Sequence, residues 1–167
     1  MKRTIYLTGF MGTGKSVVGK ELARLLRRPF VDLDALIERT AGSSVASLFA
    51  RRGEVAFRKL ERNALMRVAK RPGVVVALGG GTLLDPRHRA LVKKGYLVSL
   101  SCSRVVLVRR LRARRDARPL LAGGSLSARV GKLLAARRGA YAGADWSVST
   151  TINSPKAAAM MIARRIP

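Results

Sequence analysis

Near the amino terminus the run Gly9-Phe10-Met11-Gly12-Thr13-Gly14-Lys15-Ser16 fits G-x-x-x-x-G-K-[ST], the pattern of a loop that wraps phosphates. Glycines there let successive backbone N–H groups curl round anionic oxygens, and a helix starting behind the loop adds the positive end of its dipole. Lys15 would reach the outer phosphates of a nucleoside triphosphate. The Ser16 hydroxyl would ligate Mg²⁺, an ion that takes oxygen donors. Gly12, Thr13, Gly14, Lys15, Ser16 and Val17 are therefore expected to bind the nucleotide.

Such a loop works only between a strand and a helix, and the flanking pattern supplies both. Residues Thr4 to Thr8 alternate and are β-rich, while from Lys15 to Leu26 apolar residues recur at helical spacing through Val18, Leu22, Leu25 and Leu26. Further strands are expected at Phe30 to Asp32, Val74 to Leu78, Tyr96 to Leu100 and Trp146 to Thr150. Val74 to Leu78 is a continuous apolar run between Pro72-Gly73 and three glycines, which suits the centre of a sheet covered on both faces. Helices are expected at Leu33 to Arg39, at Ser43 to Ala69 in two pieces joined near Gly53, at Pro86 to Lys94, at Val105 to Arg115, at Leu126 to Arg138 and at Pro155 to Arg165. Strands alternating with helices imply an α/β fold: a three-layer, parallel five-stranded sheet with helices on both faces. One domain is expected over residues 1–167.

Composition sets further bounds. With 167 residues, 48% of them hydrophobic, the chain can bury one substantial core. No apolar run is long enough to span a bilayer, so a soluble, cytoplasmic protein is expected. The single cysteine, Cys102, cannot form an internal disulfide, and no Cys/His cluster offers zinc ligands. Lys and Arg number 34 against 9 Asp and Glu, a net charge of +25. That field attracts polyanions, yet aromatics are few and scattered and no base-reading motif is present, so nucleic acid is not the expected partner.

The residues around the loop carry a more specific signal. Val31-Asp32-Leu33-Asp34, Ile37-Glu38, Phe49, Gly53-Glu54, Phe57-Arg58, Glu61, Gly79-Gly80-Gly81, Arg118-Pro119-Leu120-Leu121 and Arg138-x-x-Tyr141 ahead of Ala144-Asp145 follow in order. As a set, and almost end to end, the chain resembles the shikimate kinases, P-loop proteins related to nucleoside monophosphate kinases.

The resemblance implies transfer of the γ-phosphate of ATP to the 3-hydroxyl of shikimate, with Mg²⁺, by a monomer with a substrate-binding helical segment at about 33–61 and a mobile lid at about 112–125. It makes Lys15, Asp34 and Arg118 catalytic. Asp32 would serve the Mg²⁺ shell with Ser16, although an Asp ahead of a helix also suits an N-cap. Asp34 would orient the acceptor hydroxyl and take its proton. Arg58 and Arg138 would clamp the carboxylate, since guanidinium forks make bidentate charged hydrogen bonds. Gly79, Gly80 and Gly81 would meet the acceptor, or merely form a tight turn. Arg118 would close over the phosphates and Arg110 would contact the nucleotide base. Phe49 and Phe57 would wall the pocket or fill the core. Val17 departs from the family's usual Thr, Ala122-Gly123-Gly124-Ser125 lacks the charges expected of the lid, and Ala142-Gly143 follows Tyr141 where an acid is usual. Other readings of the loop are a kinase of gluconate or a nucleotide, or a basic nucleotide-dependent nucleic-acid binder.

Overall fold

The computed structural model describes residues 2–113 and 125–166. Five parallel strands form one sheet: β1 (Ile5–Gly9), β2 (Phe30–Asp32), β3 (Val75–Ala77), β4 (Tyr96–Ser101) and β5 (Trp146–Ser149), in the order β2-β3-β1-β4-β5. The centre is therefore β1, with β3 on one side and β4 on the other, which corrects the central place expected for Val74 to Leu78. Both β1 and β3 are buried at every residue and both have two neighbours, so an apolar run alone cannot say which is the middle one.

Each strand feeds a helix that returns over one face of the sheet. Helix α1 (Lys15–Leu26) and α7 (Pro155–Ala163) pack together under Ile5, Leu7, Val75, Val98 and Leu100. On the opposite face α2 (Leu33–Ala41), α3 (Val45–Ala69) and α4 (Pro86–Val92) bury Leu33, Leu65, Val68 and Val92 against Tyr6, Val76 and Leu97. Helices α5 (Arg104–Ala113) and α6 (Leu126–Ala142) enclose Phe10 with Leu107, Leu111 and Val130. A fully buried Leu or Val contributes roughly 1.5–3 kcal/mol, so these clusters hold the carboxyl edge of the sheet, where the loops gather, on a rigid base.

The break expected in the long helix is real: Gly53 has φ 74° and ψ 174°, a conformation that side chains other than hydrogen strongly disfavour. Helix α6 runs four residues beyond the expected end at Arg138, because Ala140 and Tyr141 still find apolar partners in the core.

Candidate active site

Strand β1 ends in the phosphate loop. Gly9 has φ +136°, and a Cβ there would lie 2.3 Å from Leu100 O, so only glycine lets the loop leave the sheet at this point. Helix α1 starts at Lys15 with no acidic residue in its first turn, which leaves its positive end uncompensated for an anion. Lys15 Nζ donates to Gly9 O at 2.9 Å and Phe10 O at 3.1 Å. A bound phosphate would exchange those carbonyls for its own oxygens. Val17 is 47% exposed and lines the same cleft.

Asp32 is the N-cap of α2 and also faces the phosphate loop. One carboxylate oxygen accepts from Ala35 N at 3.3 Å and caps α2, while the other accepts the Ser16 hydroxyl. A hydroxyl and a carboxylate side by side next to the phosphate loop fit Mg²⁺, which commonly uses one or two protein oxygens and fills the rest of its shell with water and phosphate. Among the described residues no group of three or more His, Cys, Asp or Glu could hold a metal by itself.

Asp34 sits in the first turn of α2 and lines the cleft with Lys15. Burial pushes its pKa up to about 6; the Lys15 cation opposes this, and the Asp32, Glu61 and Glu38 carboxylates add to it. A carboxyl group that titrates near neutrality can accept a proton while remaining largely ionised at pH 7.

The opposite wall comes from α3 and the turn after β3. Arg58 donates to Glu61 Oε2 at 2.7 Å and, through two N–H groups, to Glu54 Oε1 at 3.1 and 3.3 Å. Three of a guanidinium's five N–H groups are thus engaged and two are left for an anion in the cleft. Glu61 is 1% exposed and also accepts from Thr82 Oγ1 at 2.6 Å, tying α3 to the short 3₁₀ turn at Thr82–Leu84. The rings of Phe49 and Phe57 lie 4.6 Å apart and line the cleft, while Phe57 is also buried in the core.

Each of the three glycines meets a different polar group. A methyl on Gly79 would stand 2.9 Å from the Asp34 carboxylate, on Gly80 3.2 Å from Arg137 Nη1, and on Gly81 2.8 Å from Arg58 Nη2. The turn is tight, and it is also the floor on which the site's charged groups converge.

One assignment is corrected. Arg138 is exposed and lines a separate cavity of about 510 Å³, whereas Arg137 is 4% exposed and lines the cleft with Asp34, Arg58 and Gly79 to Gly81. Helix geometry gives the reason. Tyr141 donates to Gly80 O at 2.6 Å, which turns its face of α6 toward the glycines, and the residue that shares that face is four positions back, not three. Arg137 also lies with its guanidinium carbon 5.8 Å from the Phe10 ring.

Arg110 reaches the nucleotide side of the loop: Nη1 donates to Gly12 O at 3.2 Å and Nη2 to Thr150 O at 2.7 Å. Thr150, 3% exposed, donates to Thr13 O at 2.8 Å and lies 3.3 Å from Arg110 Nη1. It belongs to no sequence motif, and only the pairing of β5 with β4 brings it to the loop. Thr150→Val keeps the shape but strands a buried carbonyl, a loss of about 1–3 kcal/mol. The expected result is a roughly tenfold rise in KM for the nucleotide with little change for the second substrate, and recovery in Thr150→Ser; steady-state kinetics check it. Arg118 and residues 114–124 of the expected lid lie outside the described residues.

The cleft, of about 530 Å³, thus joins a phosphate loop to a carboxylate and two arginines. The shikimate kinase family model matches residues 11–167 of the chain. The chain belongs to the shikimate kinase family. It is 46% identical to the shikimate kinase of Geobacter sulfurreducens over 149 residues, 89% of this chain and 82% of the relative. A solved shikimate kinase from Acinetobacter baumannii in complex with shikimate superposes with a TM-score of 0.93 at 33% identity, covering 98% of this chain and 92% of the other. A gluconokinase from Sinorhizobium meliloti shares the fold alone, with a TM-score of 0.57 and 20% identity over 97% of this chain and 94% of that one. As in its family, the chain is an ATP-dependent small-molecule kinase built on a parallel five-stranded sheet.

Proposed function

We propose that the chain moves the γ-phosphoryl group of ATP to the 3-hydroxyl of shikimate, giving shikimate 3-phosphate and ADP. The observation that carries this is the joining, in one cleft, of the phosphate loop with Asp34, Arg58, Arg137 and the Gly79 to Gly81 turn. Lys15 and the loop N–H groups hold the phosphates. Ser16 and Asp32 would hold Mg²⁺, which neutralises phosphate charge when bound. Arg58 and Arg137 take the acceptor's carboxylate and so fix its ring. Asp34 orients the hydroxyl and accepts its proton as the phosphoryl group departs; a loose transition state asks mainly for this positioning. Arg110 lies at the nucleotide edge, and Arg118 would close over the phosphates. The active form is a monomer, and a cytoplasmic setting supplies the ATP.

The direct test is coupled ADP release with shikimate, gluconate and nucleoside monophosphates in parallel. Shikimate is expected to stimulate release strongly and the others not at all; stimulation by gluconate alone would overturn the acceptor and leave the kinase. A second expectation concerns pH. Because Asp34 must be ionised to accept a proton, kcat/KM should rise tenfold per pH unit below its pKa of about 6 and level off above it. A flat profile between pH 5 and 8, with binding of both substrates intact, would remove Asp34 as the base.

A further inference from the structure

The charge of +25 is distributed unevenly over the fold. Of the acidic side chains, Asp32, Asp34, Glu38 and Glu61 line the cleft at the carboxyl edge of the sheet. At the amino edge the order is reversed: a dibasic pair precedes each of four adjacent strands. These are Arg27-Arg28 before β2, Lys70-Arg71 before β3, Lys2-Arg3 before β1 and Lys93-Lys94 before β4.

Contacts join the pairs into one surface. Arg28 Nη1 donates to Arg3 O at 3.0 Å, Arg3 Nη2 to Gly95 O at 2.6 Å and Thr4 Oγ1 to Arg71 O at 2.9 Å. All of these basic residues are exposed except Arg28, which is half-buried. Arg27, Lys70 and Lys93 are helix C-caps, where a cation offsets the helix dipole, and the Arg28 and Arg3 guanidiniums hold main-chain carbonyls, with Arg3 also over the Tyr96 ring; these local roles leave Lys2, Arg71 and Lys94 without one. Among the described residues Asp145 is the acid on this edge, and its carboxylate accepts from Leu97 N at 2.7 Å.

We infer that this amino edge is a docking face for the phosphodiester backbone of duplex DNA, bound without regard to sequence. Strands lie about 4.8 Å apart, so the four pairs form a line on the order of 15 Å long. Duplex DNA offers one negative charge per about 1.7 Å of its axis, so several phosphates face such a line at once. The eight residues of the four pairs are all cationic, and the large exposed apolar side chains nearest them, Leu25 and Met66, are each only 37% exposed and sit back in the last turns of α1 and α3, so charge dominates what this face offers a partner. Base-reading groups are also missing, which limits the contact to the backbone. The cleft opens at the other edge of the sheet, so nucleotide and DNA can be held together.

The test is fluorescence anisotropy with a labelled random-sequence 20-base-pair duplex, titrated over salt. Lys70→Glu, Arg71→Glu, Lys93→Glu and Lys94→Glu together are compared with Lys59→Glu, Arg62→Glu, Arg129→Glu and Lys132→Glu together, an equal change in net charge placed elsewhere. The edge variant should lose tenfold or more in affinity, with a log–log salt slope shallower by about 3–4, and the control far less. Kinase turnover of the edge variant at 25 °C should match the parent, its thermal midpoint should fall only by the few degrees that losing two C-cap cations entails, and saturating MgATP should leave DNA binding unchanged. Equal losses in the two variants, displacement by MgATP, or binding to anionic lipid vesicles at salt where the duplex does not bind would each overturn the assignment.

Discussion

Replacing Asp34 by asparagine is expected to lower kcat by roughly two to four orders of magnitude, the range for loss of a positioned proton acceptor, while KM for ATP changes little. The same substitution should stabilise the fold. The folded pKa of about 6 lies above the ordinary 3.8, so the ionised carboxylate is disfavoured in the native state. This cost is absent below pH 3.8, grows between 3.8 and 6 and is complete above 6. At about 1.36 kcal/mol per pKa unit, asparagine should add on the order of 2–3 kcal/mol above pH 6, seen as a higher Tm that converges on the parent's in acid. A dead enzyme with a raised melting temperature separates a functional strain from simple damage. A variant that lost activity and stability together would sink the assignment.

The second large effect distinguishes two neighbours. Arg137→Ala should lower kcat/KM for shikimate roughly 10- to 150-fold, the equivalent of a charged hydrogen bond of about 1.5–3 kcal/mol, whereas Arg138→Ala should stay within about twofold. Arg137→Lys keeps the charge without the planar fork and should fall between them. Near-equal effects at the two positions would return the carboxylate contact to the register expected from sequence.

That pair shows where sequence suffices and where it stops. The phosphate loop, the strand before it and the helix behind it were legible because glycines, β-rich alternation and helical spacing each follow from local chemistry. Five parallel strands with covering helices were legible for the same reason, as was the break at Gly53. The order of the middle strands was not, since β1 and β3 are equally apolar and only hydrogen bonding ranks them. Arg137 was missed because one residue on a helix is a rotation of about 100°, and two adjacent arginines look alike until Tyr141 shows which face turns inward. Thr150 was invisible for another reason: its partner, Thr13, lies 137 positions away.

The turn at Gly79 to Gly81 has a consequence for how this protein tolerates change. Three consecutive positions each have a carboxylate or guanidinium within 3.2 Å of where a first side-chain carbon would go. A side chain added there would therefore be accommodated by swinging a charged group out of place, so a mutagenesis survey would find folded but inactive variants at residues with no side chain to lose, and a library aimed at new acceptors does better to start at Phe49 and Val45, which also line the cleft.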